Sequence, residues 1–457
     1  MKNRILQFGS GVFLRGFWGW MIHELNKQEL SDASITMVKL TPRGDLSQFI
    51  ELDGKYNLTT KGLLNGQTID QKEEISVYQR FIHPYLEWVE FLATAEEEDL
   101  QIVVSNSTEA GIVYKQCAFP NECPETYPAK LCAWLYKRFS FFDKSADKAP
   151  LILPMELIEH NGIKLREIIC KHANDWGLDH DFITWIKKSC DFRNTLVDRI
   201  VTKGENTDAC VEPYHLFAIE GDSAEDILPL KKAGINVFWT KNLPAFRETK
   251  VRMLNGGHTS MIYAAILSGE TIVADALEKE PIDQFLRSIL LDEILPTLEA
   301  KGGNTQELKD YAEAVIERFK NPFLNHEMIN IALNSSSKLL VRLLPSFADS
   351  TAINKSFPDK LSQAIAAFFW FYRGSVVGDT FKGEAEGLSY DFADDAKAMN
   401  AIAKCDTSTP ANFAKAILAC SAWNGAFKAH PTFELRLTEI FEDFNQKGLK
   451  TSLFPQL

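Results

Sequence analysis

Three side chains able to move a proton or hold a developing alkoxide lie close together in the stretch from Phe246 to Met261, FRETKVRMLNGGHTSM. They are the amine of Lys250, the amide of Asn255 and the imidazole of His258. On a helix they fall at roughly 0°, 140° and 80° around the axis, so they share one broad face and could address a single small molecule. An amine that sheds and regains its proton can serve as general acid/base for an alcohol or ketone, and amide or imidazole N–H groups can bond the oxygen on which charge develops. If Lys250 lies near a helix start, the amide dipoles there disfavour its cation, which suits a base working near neutral pH. A plainer reading is equally open on these residues alone. Lys250 and Arg252 are then solvated charges, Asn255-Gly256-Gly257 a loop between two helices, and His258 a core histidine.

The elements that would position this trio begin at the other end of the chain. Arg4 to Phe8 is a short apolar strand that runs into Gly9-Ser10-Gly11-Val12-Phe13-Leu14-Arg15-Gly16, followed by a helical pattern through Trp18, Met21, Ile22 and Leu25. Strand, glycine turn and helix make the context of a dinucleotide site, in which Gly9 and Gly11 would let a pyrophosphate approach free backbone N–H groups. The spacing is G-x-G-x-x-x-x-G rather than G-x-G-x-x-G, and a tight turn opening a strand-helix unit explains it as well. The second strand, Ile35 to Leu40, ends in Lys39-Leu40-Thr41-Pro42-Arg43, where such folds place an acid on the ribose 2′-hydroxyl; these residues leave NAD against NADP open, since Arg43 could meet a 2′-phosphate.

Asn65-Gly66 between two alternating runs signals a hairpin inserted in the α/β unit. Further strands are expected at Leu100 to Ser105, ahead of the polar loop Asn106 to Gly111, and at Pro150 to Pro154, ahead of Glu156, Asn161 and Gly162. Others are expected at Asn194 to Ile200, Glu212 to Ile219 and Asn236 to Trp239. After Pro244 the apolar period becomes helical, in segments near 249–268, 284–298, 306–320, 359–378, 391–404, 410–423 and 431–447. The expected architecture is therefore an α/β Rossmann-type domain over residues 1–243 followed by an all-α domain over 244–457, with the active site in the cleft between them and Lys250 at the hinge.

Composition bounds the function. With 457 residues, 45% hydrophobic and 24% charged, the chain reads as globular and two-domain. The N-terminus lacks a signal-peptide core and the longest aromatic-apolar run, Ala364 to Tyr372, is too short to span a bilayer, so a cytoplasmic protein without a membrane partner is expected. Eight cysteines without a C-x-x-C pair argue against both zinc and a disulfide framework. A net charge of −13 disfavours nucleic acid, and an anionic substrate would need a local cationic pocket.

The spacing K-x-x-x-x-N-x-x-H, spelled KVRMLNGGHTS, resembles the signature of the polyol-specific long-chain dehydrogenases, the mannitol dehydrogenase and hexuronate reductase family. ILQFGSGVFLRGF resembles that family's nucleotide loop, SNSTEAG its nicotinamide-side loop, and Glu156 with Asn161 and Gly162 its E-x-x-x-x-N-G element. VDRI, RF-x-NPF and LNS-x-SK-x-x-VR-x-LPS are matched as well, so the likeness runs from residue 4 to about residue 350. The resemblance implies NAD as cofactor, held by Gly9, Ser10, Gly11, Val12, Phe13, Arg15, Asn106, Glu109 and Asp198. It implies Lys250 as acid/base, Asn255 and Asn161 as donors to the reacting oxygen, and His258 on the neighbouring hydroxyl, with no metal.

It also places Lys338 on the substrate side, with Arg342 one turn on, a basic pair suited to the carboxylate of a hexuronate. The mannitol branch carries an acid three residues before its lysine; Arg247 stands there in this chain, with Glu248 beside it, so the polyol subtype is less supported than the uronate subtype. Fructuronate or mannitol chemistry is the nearest alternative. A dinucleotide-binding sensor is a non-enzymatic one, disfavoured because it would have no use for Lys250, Asn255, His258 and Asn161 together.

Overall fold

The computed structural model describes residues 1–107 and 111–457 and divides into two compact units, Met1–Phe246 and Arg247–Leu457. In the first unit, six parallel strands run in the spatial order 78–82, 33–38, 2–8, 102–105, 151–154, 191–192. This is the doubly wound order 3-2-1-4-5-6, whose strand direction of travel reverses between the first and fourth strands. The strands are built from ILQF, ASITMV, IVVS and LILP, apolar on both faces because both faces are covered. Ile5, Met37, Val104 and Leu153 pack to one side with Phe17 and Trp18; Leu6, Val38, Val103 and Ile152 pack to the other with Trp134 and Leu165.

The hairpin Tyr56–Leu64 and Gln67–Ile75 turns at Asn65 (φ 53°) and Gly66 (φ 74°). It pairs with Ala209–Val211 in a separate four-stranded sheet, and Thr195–Asp198, Leu216–Glu220 and Val237–Thr240 form a third sheet.

The second unit is mostly helical. Its centre is Gly256–Leu267, buried on almost every side, against Asp359–Phe371, which is apolar all round for the same reason. One departure from the helical period stands out. The expected segment 359–378 stops as a helix at Phe371, and an antiparallel meander follows, Gly374–Val377, Thr380–Ala385 and Leu388–Phe392. Its turns use Gly378 (φ 62°) and the pair Glu386 (φ 54°) and Gly387 (φ 76°), left-handed positions that no helix accommodates. Among the described residues no helix is long and apolar enough to cross a membrane.

Candidate functional site

Two places concentrate the polar side chains singled out above, one in each unit. In the first unit the chain leaves strand Lys2–Phe8 through Gly9, at φ +119°, where a Cβ would lie 3.0 Å from the Asn106 carbonyl oxygen. Gly11 opens onto free space. Helical backbone then runs from Val12 to Lys27, with a π turn over Arg15–Gly19. Gly16 accounts for the long glycine spacing, since a Cβ there would sit 2.6 Å from Val201 Cγ1 and 2.7 Å from Val211 Cγ1. It is thus the glycine that lets the helix close on a neighbouring sheet.

Beside this turn lies a cavity of about 500 Å³ whose lining includes Gly9, Ser10, Gly11, Lys39, Asn106 and Tyr127. Of the other residues expected at the cofactor, Val12, Phe13, Arg15 and Asp198 do not line it. Val12 and Phe13 belong to the helix, where Phe13 stacks on Phe17. Arg15 is buried and braces the turn from behind, donating from Nε to the Thr207 carbonyl at 2.9 Å and from Nη1 to the Ser10 carbonyl. Burial holds its guanidinium below the usual arginine range. Asp198 is buried at the end of its strand in the three-stranded sheet. Glu109 lies outside the described residues.

Asn161 is buried at the first turn of helix Asn161–Asp175, and its amide is fully engaged. Nδ2 reaches the carbonyls of Pro154, Glu156 and Thr195 at 2.9, 3.1 and 3.2 Å, while Oδ1 accepts from the N–H groups of Gly162 and Thr195, both at 2.9 Å. Glu156, buried beside it, accepts from Ser105 Oγ and from the N–H and hydroxyl of Ser107, and burial raises its carboxyl above the usual range. The pair knots the ends of two sheet strands together. Nothing in the residue types distinguished that role from a donor to substrate.

In the second unit, Lys250 and Asn255 stand at the two ends of a π turn, Lys250–Asn255, inside one unbroken run of helix from Leu243 to Leu267. The Asn255-Gly256-Gly257 loop does not form. Because the helix begins at Leu243, Lys250 is not in a first turn and the dipole reasoning given above does not apply to it. A π turn carries i→i+5 bonding, so Lys250 and Asn255 are one wide turn apart rather than 140° apart. Beneath the turn, Arg252 is buried in ion pairs with Glu248 (2.7 Å) and Asp349 (2.6 Å), both acids also held by Lys301.

His258 stacks on Phe319, ring centroids 3.6 Å apart, with His326 edge-on at 5.2 Å. Its Nδ1 is enclosed without a hydrogen-bond partner. Burial first, then His326, Arg318, Arg342 and Lys338, push the imidazole well below its usual range, so it is neutral at physiological pH. Arg342 donates to Thr259 Oγ1 at 3.3 Å, and its carbonyl oxygen would lie 3.2 Å from a Cβ on Gly256, which explains one glycine of the pair. Lys338 Nζ donates to the carbonyls of Ile331 (2.6 Å) and Leu333, using two of its three N–H bonds. Burial, then Arg342, lower it to about 8. Asp394 caps the segment by accepting from Ser336 N–H and hydroxyl at 2.8 Å each, and from Tyr372.

Arg318, His326 and Asp394 were not expected here. The first two could have been suspected from the RF-x-NPF-x-x-H stretch, whereas Asp394 follows the meander and carries no local signal.

Among the described residues one group, His23, Glu24 and Glu73, is spaced for a metal ion, but Lys27 Nζ already lies 3.3 Å from Glu24 and 3.2 Å from Glu73.

Residues 3–232 match the mannitol dehydrogenase Rossmann domain and residues 242–433 the mannitol dehydrogenase C-terminal domain. The altronate oxidoreductase of Halalkalibacterium halodurans is 36% identical over 88% of this chain and 81% of its own length. That of Cronobacter sakazakii is 32% identical over 99% of this chain and 96% of its own. Among solved structures, a D-sorbitol dehydrogenase in substrate-free form superposes with a TM-score of 0.80 at 22% identity, covering 99% of this chain and 95% of that one. The Pseudomonas fluorescens mannitol 2-dehydrogenase in complex with NAD and D-mannitol gives 0.64 at 18% identity, over 99% and 94%. With both halves matched in order and relatives aligned along most of their length, the chain belongs to the mannitol dehydrogenase family.

Proposed function

We propose that the protein is a cytoplasmic NAD-dependent oxidoreductase that interconverts D-tagaturonate and D-altronate, with Lys250 as the acid/base. The observation that carries the uronate reading is the gathering of Arg318, Lys338 and Arg342 around a neutral His258 in a chain of net charge −13. Three cations whose charges act on one imidazole supply what a sugar carboxylate needs and a neutral polyol does not. The altronate oxidoreductases among the relatives support the same substrate.

The glycine turn fits the cofactor: Gly9 takes a left-handed φ, Gly11 faces open space, and the helix that begins at Val12 offers free N–H groups to a pyrophosphate. Bound NADH supplies the hydride to the substrate's ketone carbon. Lys250, as an ammonium, gives a proton to the oxygen on which negative charge develops, and takes it back when altronate is oxidised. Asn255, one wide turn on, donates an N–H to that oxygen. Neutral His258 bonds the adjacent hydroxyl without adding charge next to Lys250. Arg342 and the third N–H of Lys338 hold the carboxylate. Asn161 acts as a positioning residue for the loop after strand Leu151–Pro154, because its amide hydrogens are already committed.

The test is NADH absorbance with tagaturonate, fructuronate and fructose. The highest kcat/KM is expected with tagaturonate and the lowest with fructose. A preference for fructose or mannitol would replace the uronate assignment by that of a polyol dehydrogenase.

A further inference from the structure

We infer that Asp394 is a positioning residue for the substrate's carboxylate, acting through the turn that carries Lys338; this rests on the uronate reading of Lys338 and Arg342. The helix that bears both cations begins at Ser335 and runs to Asn354 through the π turn Leu339–Leu343. Its N-cap, Asn334, sits at φ 55° and gives no side-chain hydrogen bond to the first turn. The first N–H groups of a helix need acceptors from elsewhere. Asp394, 58 residues beyond Ser336, provides one: Oδ2 accepts from the Ser336 N–H and Oδ1 from the Ser336 hydroxyl, each at 2.8 Å. The residue before it anchors the same corner, since the Asn334 N–H donates to the Ala393 carbonyl at 3.0 Å. Tyr372 donates to the same carboxylate, and the Asp395 N–H does so at 2.7 Å. Four donors thus occupy two carboxylate oxygens, so Asp394 acts through the turn and not on the sugar.

The capped corner gives Lys338 its direction. Side chains on a helix lean toward its N-terminus, and Nζ folds back to the carbonyls of Ile331 and Leu333, just before the capped turn. Displacing that turn therefore displaces the ammonium and the two carbonyls that hold it. Asp394 also acts on Lys338 by charge. Burial, then Arg342, lower the amine, and Asp394 is the group that raises it. The other groups around the turn bring no negative charge. His258 and His326 are held neutral by burial, Arg318 is a cation, and burial pushes the phenols of Tyr263 and Tyr372 above their usual range. Without the carboxylate, Lys338 would lose its proton at a lower pH, and a neutral amine does not hold a sugar acid.

The experiment is steady-state kinetics of the full chain with tagaturonate and fructose from about pH 6 to about pH 9, for Asp394→Asn and Ser336→Ala beside Lys338→Met. Asp394→Asn is expected to raise KM for tagaturonate about three- to tenfold at about pH 7 and to leave kcat, and kcat/KM for fructose, within about twofold. The rise of KM with pH should begin about half a unit lower than in wild type, a change that a merely structural role would not produce. Ser336→Ala removes one hydrogen bond and keeps the charge, so it should raise KM about two- to threefold with the pH of the rise unchanged. Asp394→Asn combined with Lys338→Met should be no worse than Lys338→Met alone, since both act through one ammonium. A wild-type KM and pH profile in Asp394→Asn, or equal losses with tagaturonate and fructose, overturns the inference; a raised KM in Lys338→Met then leaves the uronate reading standing. If Asp394→Asn does not fold, a wild-type KM in Ser336→Ala overturns the inference instead. An unchanged KM for tagaturonate in Lys338→Met would overturn both.

Discussion

Lys250 carries the chemistry proposed for this protein, and its replacement is the sharpest test. Lys250→Ala is expected to lower kcat by at least about 100-fold while NADH still binds, because the amine acts on the substrate oxygen and the nucleotide pocket is built by Gly9, Gly11 and their neighbours. NADH fluorescence titration beside the absorbance assay separates the two, and wild-type turnover in the variant would end the lysine assignment. Lys338 makes a pH-dependent prediction. Its folded value, about 8, lies below that of a free lysine, so it is a cation below that pH and neutral above it. The cation is the form that holds a carboxylate. KM for tagaturonate is therefore expected to stay level up to about pH 7.5 and to rise above about pH 8, while KM for fructose does not change. Lys338→Met should raise KM for tagaturonate about ten- to a hundredfold and flatten this dependence. His258, neutral throughout, should contribute no limb to the profile above pH 6 or so.

At the scale of elements, three of the four π turns among the described residues lie at expected functional residues, Arg15–Gly19, Lys250–Asn255 and Leu339–Leu343, the last directly after Lys338 and containing Arg342, while the fourth, Ser288–Ile294, carries none. A wide turn moves the next side chains around the axis and frees backbone groups, and such turns are frequent at functional sites. The helix after the glycine turn depends on a different device. Gly16 has no room for a methyl group between Val201 and Val211, whereas Gly11 has nothing within 4 Å. Gly16→Ala is expected to cost about 1 to 3 kcal/mol in urea unfolding through overpacking. Gly11→Ala should be nearly neutral in stability and should weaken NADH binding instead. A Gly16→Ala variant as stable as wild type would show that the two small strands beside the helix give way easily.

For the whole molecule, substrate charge and chain charge have the same sign, so binding of a hexuronate depends on a local cationic set within a net −13 chain. In the proposed reaction Lys250 and Asn255 stabilise the developing oxyanion by proton and N–H donation, the charge stabilisation that a Lewis-acidic metal gives in other enzymes, so activity is expected to persist after exhaustive dialysis against EDTA. Loss of activity with rescue by added zinc would overturn that expectation. The α/β order of the first half is legible in the amino-acid sequence, because continuous apolar strands and a strand-glycine-helix start are local patterns. The helical character of the second half and the hairpin at Asn65-Gly66 are legible there for the same reason. The remaining features arise from packing between distant segments. A π turn leaves no mark on a 3.6-residue period, so the true spacing of Lys250 and Asn255 stayed hidden. The commitment of Asn161 depends on carbonyls from residues 154, 156 and 195, brought together only by sheet packing. Arg318, Lys338 and Arg342 act on His258 from segments far apart in the chain, and it is the imidazole's own burial first and their charges after it, which no local pattern encodes, that keep it neutral and that the proposed function reads as a place for an anion.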